Sequence, residues 1–224
     1  MDNLVLIADE FLVLDEGFAS RSLRDEIGEK NIKLLGKATR LRMYLHEPVL
    51  CNSDLPDELK KPNINYYSIG LRCTLHPDFD HIIEHARVIV DFSSNASDVL
   101  IKNMFPREVT EPVSYKRDFK VTAGLEFSFI KFSGEASQSS EFEFYSPKIK
   151  AYGFDSRVGY FDFISTANAE LKIDNMVYLL VRLKGEPTLK GKISINATVK
   201  VKGGPSLPLV SKKNGGLDEY IRFL

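Results

Sequence analysis

Five residues carry the sharpest chemical pattern in this sequence: His81-Ile82-Ile83-Glu84-His85. On an α-helix, positions 81 and 85 share a face, because side chains four apart lie one above the other. Two imidazoles so placed can hold a zinc ion, and Glu84 beside them can activate a water for hydrolysis. Three of the four histidines, His76, His81 and His85, fall within ten residues, next to Cys73, Asp78 and Asp80.

The surrounding elements argue against that chemistry. Ala86-Arg87-Val88-Ile89-Val90-Asp91-Phe92 reads as a strand, and Pro77 leaves little room for a helix ahead of it. The same pattern belongs to the inverzincin metalloproteases, but the match ends at those five residues. Neither Glu170 nor Glu186 is singled out as a third ligand. His81, Glu84 and His85 stand as metal candidates against the plainer reading of a histidine-rich polar loop. No catalytic residue and no cofactor is assigned.

Other templates are missing. The chain has no G-x-x-x-x-G-K-[ST] loop, no strand-bound G-x-G-x-x-G and no G-x-S-x-G elbow. Thirty basic residues against 31 acidic ones leave a net charge of -1, which gives no footprint for nucleic acid. Two cysteines, Cys51 and Cys73, do not make a disulfide framework. The opening MDNLVLIADEFLVLDEG carries Asp2, Asp9 and Glu10 and no basic residue, unlike a secretory signal. No apolar run approaches 18 residues. These features lead us to expect a soluble, cytoplasmic protein.

The elements that must position any site are mostly strands. Phe119, Val121, Ala123, Leu125, Phe127 and Phe129 alternate with polar or small residues, and so do Ile193, Ile195, Ala197, Val199 and Val201. A period of two puts one set on one face of a sheet. One apolar face and one wet face favour antiparallel pairing. The first alternation slips at Ile130, which predicts a bulge near Phe129-Ile130. Further strands are expected through residues 37–45, Tyr67–Leu75, residues 86–92, Tyr160–Ile164 and Val177–Leu183. The strands at 67–75 and 86–92 are most simply a hairpin.

The expected fold is mainly β. Residues 1–64 form a small mixed α/β subdomain packed on the sheet, with a short helix from Ser22 to Ile27 and one helical turn in the 52–64 loop. Residues 65–202 form an antiparallel β-sandwich. Residues 203–224 are a Gly/Pro-rich linker and a short docking segment. In that segment Leu217, Tyr220, Ile221 and Leu224 lie at i, i+3, i+4 and i+7, one face of a helix. That face packs on the chain's own core or is presented to another chain.

These observations favour a non-enzymatic binding or assembly module acting through a protein partner or self-association, without nucleic acid. Two alternatives remain. One is a metal-dependent hydrolase on the histidine cluster. The other is a membrane-active β-hairpin: residues 119–144 are two alternating segments around a Ser/Gly-rich loop, the form a strand pair takes between lipid and water.

Overall fold

The computed structural model describes residues 4–15, 39–52, 55, 57–77, 81–95, 98–109, 114–115, 142–143, 148–165, 173–185, 188–201, 206–211 and 221–222. They form β1 (Leu4–Phe11), β2 (Val13–Leu14), β3 (Thr39–His46), β4 (Val49–Leu50), β5 (Ile64–Pro77), β6 (His81–Asp91), β7 (Asp98–Phe105) and β8 (Glu108–Val109). The remaining strands are β9 (Ser114–Tyr115), β10 (Phe142–Glu143), β11 (Lys148–Tyr152), β12 (Val158–Ile164), β13 (Ile173–Lys184), β14 (Lys190–Val201), β15 (Ser206–Val210) and β16 (Ile221–Arg222). A 3-10 turn lies at Asp57–Leu59. No helix among the described residues is long and apolar enough to cross a membrane.

Alternation in the sequence becomes alternation of burial. On β3, Thr39, Leu41, Met43 and Leu45 are buried, while Arg40, Arg42, Tyr44 and His46 between them are partly open. On β14, Gly191, Ile193, Ile195, Ala197 and Val199 face inward. Each strand buries its apolar set by pairing side by side with others, because a lone strand leaves both its backbone groups and that face in water.

Among the described residues the pairings build two large antiparallel sheets and a separate two-stranded one, β9-β10. The first runs β1-β3-β5-β13-β7, with β4 also on β5; the second runs β2-β15-β14-β6-β12-β11-β8, with β16 on β14. Their inner faces meet in one core. Leu41, Ile69, Leu71 and Val181 come from the first sheet, and Ile83, Val88, Phe161, Phe163 and Ile195 from the second. Each fully buried side chain of this size contributes about 2 kcal/mol. The chain changes sheets between β1 and β2, where fully buried Leu12 is the link, and again between β7 and β8. A smaller cluster of Cys51, Leu55, Tyr66 and Leu180 lies apart from the main core.

Several expectations change. The N-terminal helical segment is not shown: ahead of Ile64 the described residues supply the strands β1 to β4, which belong to the two large sheets, and short 3-10 turns rather than an α-helix. The helix expected at Ser22–Ile27 falls outside the described residues. The strand at 67–75 and the one at 86–92 do not form a hairpin. β5 lies between β3 and β13 in one sheet, and β6 between β14 and β12 in the other. Both strands turn buried side chains to the shared core, from opposite sheets.

The 203–216 linker also contains a strand. Leu207, Leu209 and Val210 are buried, and β15 pairs with β14 from Asn196↔Val210 to Lys200↔Ser206. Pro208 is tolerated near the sheet edge, and its carbonyl accepts the Asp15 N–H at 2.9 Å. The alternation at 119–129 and the bulge at Phe129-Ile130 lie outside the described residues.

Two glycines turn chain ends through left-handed backbone. Gly153 (φ +100°) follows β11 in the hairpin to β12, and a Cβ there would lie 2.2 Å from the Val158 carbonyl oxygen. Gly185 (φ +103°) follows β13 with open space around it. Gly153→Ala is therefore expected to cost roughly 3 kcal/mol or more, against about 1 kcal/mol for Gly185→Ala. Urea unfolding of the two variants checks this; equal losses would refute the close approach at Gly153.

Candidate functional site

His81, Glu84 and His85 all lie on β6, which runs unbroken from His81 to Asp91. The helix that the zinc pattern requires is not there, and neither is a polar loop. Four residues along a strand span about 13 Å, too far for two imidazoles to share one ion. A bulge separates them further. His85 pairs with Thr198 and Ile83 with Val199, so Glu84 is an extra residue on the β14 side, while its carbonyl accepts the Ser165 N–H at 2.9 Å on the other. On one side of it Ile83 faces the core; on the other, Ala86, Val88 and Val90 do.

His81 therefore shares the core-side face with Ile83, opposite Val201, and His85 turns to the outer face. Both ring nitrogens of His81 are buried without a hydrogen-bond partner. Among the described residues, no group of three or more His, Cys, Asp or Glu side chains converges as metal ligands do.

The outer face of the second sheet gathers a different set. Register places Arg87 of β6 opposite Asp162 of β12, and Asp162 opposite Lys150 of β11. Arg87 donates two hydrogen bonds to Asp162, Nε to Oδ1 at 2.6 Å and Nη2 to Oδ2 at 2.8 Å. His85 Nε2 lies 3.2 Å from the same Oδ1. The Asp162 side chain is only 9% exposed, so it is nearly desolvated and both its oxygens are taken up. The Arg87 guanidinium also sits 4.1 Å above the Tyr160 ring, which stacks on Tyr152 at 4.9 Å between centroids. A planar cation held between a carboxylate and an aromatic face is a rigid arrangement.

This cluster orders the surface. A carboxylate doubly bonded to Arg87 neutralises and fixes that cation, whereas a general base needs an oxygen turned toward a substrate. What it presents outward is Tyr152, which is 40% exposed. Sequence reasoning missed Arg87, Tyr160 and Asp162 as a set. Their positions on the wet faces of two strands were readable, but not the register that joins them.

The expected helical face of Leu217, Tyr220, Ile221 and Leu224 is described only at Ile221. There the backbone is extended: Ile221 pairs with Gly191, and Arg222 with Lys190, in β16. Leu217, Tyr220 and Leu224 lie outside the described residues. Cys73 is buried on the apolar side of β5, where burial pushes its thiol up to about 12. Cys51 is buried as well, and neither forms a disulfide.

No family model matches this chain, and no curated protein matches it. Among solved structures, it is similar to the NetB toxin of Clostridium perfringens in its membrane-inserted form, at 8% identity, over 98% of this chain and 94% of that one, with a TM-score of 0.29. A likeness this distant transfers no residue role.

The ion pairs differ in what they hold. Asp174 is bonded by Arg72 at 2.8 and 2.9 Å, which keeps its carboxyl below the ordinary range, but its side chain is 51% exposed. Water screens such a pair. Asp162→Ala is expected to cost about 2 kcal/mol, since it leaves the Arg87 charge facing an emptied, mostly buried site. Asp174→Ala is expected to cost less than about 1 kcal/mol. Urea titrations at neutral pH compare them, and a larger loss at Asp174 would reverse the assignment. Because the Asp174 carboxyl is depressed, its contribution is present above about pH 4 and fades as pH falls through the folded value.

Proposed function

We propose that this chain is a non-enzymatic antiparallel β-sandwich that serves as an assembly module through protein–protein contacts. The observation that carries it is where large apolar side chains remain in water. Seven are exposed among the described residues, and five of them, Val5, Leu6, Phe11, Val49 and Leu50, lie on β1 and β4. β1 is the outer strand of the first sheet, and β4 continues the line of β3 along β5. Val5 and Leu50 are more than half exposed, at 58% and 52%.

An edge strand with an apolar fringe is a template for pairing with another chain. The same strand carries Asp9, bonded by Arg40 of β3 at 2.6 and 2.7 Å, a charge that limits indiscriminate pairing. The reading is a protein contact along this edge, made by a second copy or a partner with a complementary strand. The native mass should rise with concentration, and Leu6→Lys should return it to that of one chain without loss of fold. Analytical ultracentrifugation of both chains tests this. A monomer across the whole range, with no protein retained on purification, would overturn it.

A second reading is favoured by β9 and β10. Tyr115 pairs with Phe142 and Ser114 with Glu143, so residues 116–141 leave and return at one point. That segment contains the alternation of Phe119, Val121, Ala123, Leu125, Phe127 and Phe129. The alternation from Phe119 to Phe129 is as long in sequence as the roughly 9 to 11 residues a tilted strand needs to cross a bilayer. Under this reading the chain is membrane-active, and the hairpin sets alternate side chains to lipid and water. It predicts dye release from liposomes by the intact chain and its loss in Phe127→Asp. Equal release by both would remove the hairpin from the account.

A further inference from the structure

The fourth histidine, His46, stands outside the 76–85 cluster. It ends β3 on the outer face of the first sheet, because Leu45 before it turns to the core. Met176 of β13 turns to the same face, since Asn175 and Val177 on either side of it are buried. Between β3 and β13 runs β5. Two strand spacings separate the backbones by about 10 Å. His46 Nε2 nevertheless lies 3.2 Å from Met176 Sδ.

The residue between them explains the meeting. Leu45 pairs with Leu71, and Tyr178 with Gly70, so Gly70 is the point of β5 that the two side chains reach across. A Cβ there would stand 3.2 Å from His46 Cβ and 3.0 Å from Tyr178 Cε1. Glycine at this position leaves a notch, with the histidine on one side and the tyrosine ring on the other. The nearby cation is balanced: Arg72, opposite Met176, donates to Asp174 at 2.8 and 2.9 Å.

An imidazole nitrogen beside a thioether sulfur is a neutral donor pair with one soft member. Structural and catalytic zinc sites draw on thiolate, imidazole or carboxylate, and calcium and magnesium on oxygen. Thioether sulfur favours copper(I), and imidazole suits copper as well. Two donors on one tetrahedral ion, at about 2.0 Å for nitrogen and about 2.3 Å for sulfur, stand about 3.5 Å apart. The observed 3.2 Å is close to that separation. The three rotatable bonds of methionine supply the small adjustment.

We propose that His46 Nε2 and Met176 Sδ form a copper(I) site on the outer face of the first sheet. The ion lies between nitrogen and sulfur, with the imidazole bound through Nε2 and its proton on Nδ1. Gly70 is a positioning residue, since any side chain there would push the histidine away from the methionine.

The test is an anaerobic calorimetric titration of the full chain with copper(I) supplied as its acetonitrile complex. The chain should bind one equivalent saturably, and zinc at tenfold excess should not displace it. Met176→Leu nearly keeps the volume and removes the sulfur. It should bind copper(I) at least tenfold more weakly with an unchanged urea midpoint. His46→Gln should weaken binding likewise, and stands in if the first variant does not fold. Cys51 and Cys73, both buried, are the competing soft donors. One equivalent retained by both variants would assign the copper to them and overturn the proposal. Silver(I), a redox-inert stand-in, checks the contact in protein labelled at its methionine methyl carbons. The Met176 signal should shift and saturate at one equivalent, while those of buried Met43 and Met104 stay in place. Absence of copper binding, displacement by zinc, or a silver shift shared by all three methyls would each refute the site and leave an ordinary imidazole–thioether contact.

Discussion

β6 runs down the middle of the second sheet, paired with β14 from His81 to Asp91 and with β12 from His85 to Asp91. Its register with β14 and β12 is the constraint on which most of the molecule depends. Ile83, Ala86, Val88 and Val90 are all fully buried on its inner face. A slip of one residue would turn that set to water and bring Arg87 and Ile89 into the core. The bulge at Glu84 absorbs a change of phase that the sequence itself carries. Ile83 is odd-numbered and the later core residues are even, so a regular strand could not bury both.

The outer face follows from that register. With Ala86 inward, Arg87 must point outward, and its neighbour on β12 is Asp162. Tyr160 comes two positions earlier on the same face, near enough for Arg87 to lie over its ring, and Tyr152 stacks beyond it. The cation, carboxylate and rings are thus consequences of burying aliphatic residues on the opposite side. The same bulge divides the histidine motif, with His81 on the buried side and His85 among the outer charges.

Sheet edges organise the rest. The chain crosses between sheets at both flanks, from β1 to β2 and from β7 to β8, which binds the layers together without a disulfide. The first sheet leaves β1 outermost with its apolar fringe. In the second, the middle of β14 is covered by β15 and its start by β16. A β structure of this kind interacts most readily where backbone groups are left to pair. The proposed protein contact lies at such an edge.

The sequence by itself determined that this chain is built of antiparallel strands. Alternation within residues 37–45, Tyr67–Leu75 and Ile193–Val201 put Leu41, Met43, Ile69, Leu71, Ile193 and Ile195 inward as found, and Cys73 among them, because side-chain direction along a strand is a local property. The helical turn in the 52–64 loop was legible for the same reason, from Pro56 and the acidic residues after it. Tertiary structure alone decided which sheet each strand entered. β5 and β6 are consecutive, yet they separate because β3 and β13 take the two sides of β5, and β14 and β12 those of β6. It also decided that Ser206–Val210 pairs despite its proline, that Ile221 extends along β14, and that Arg87 meets a carboxylate 75 residues away. Pairing depends on what lies across the ladder, and no period within a strand records its neighbour.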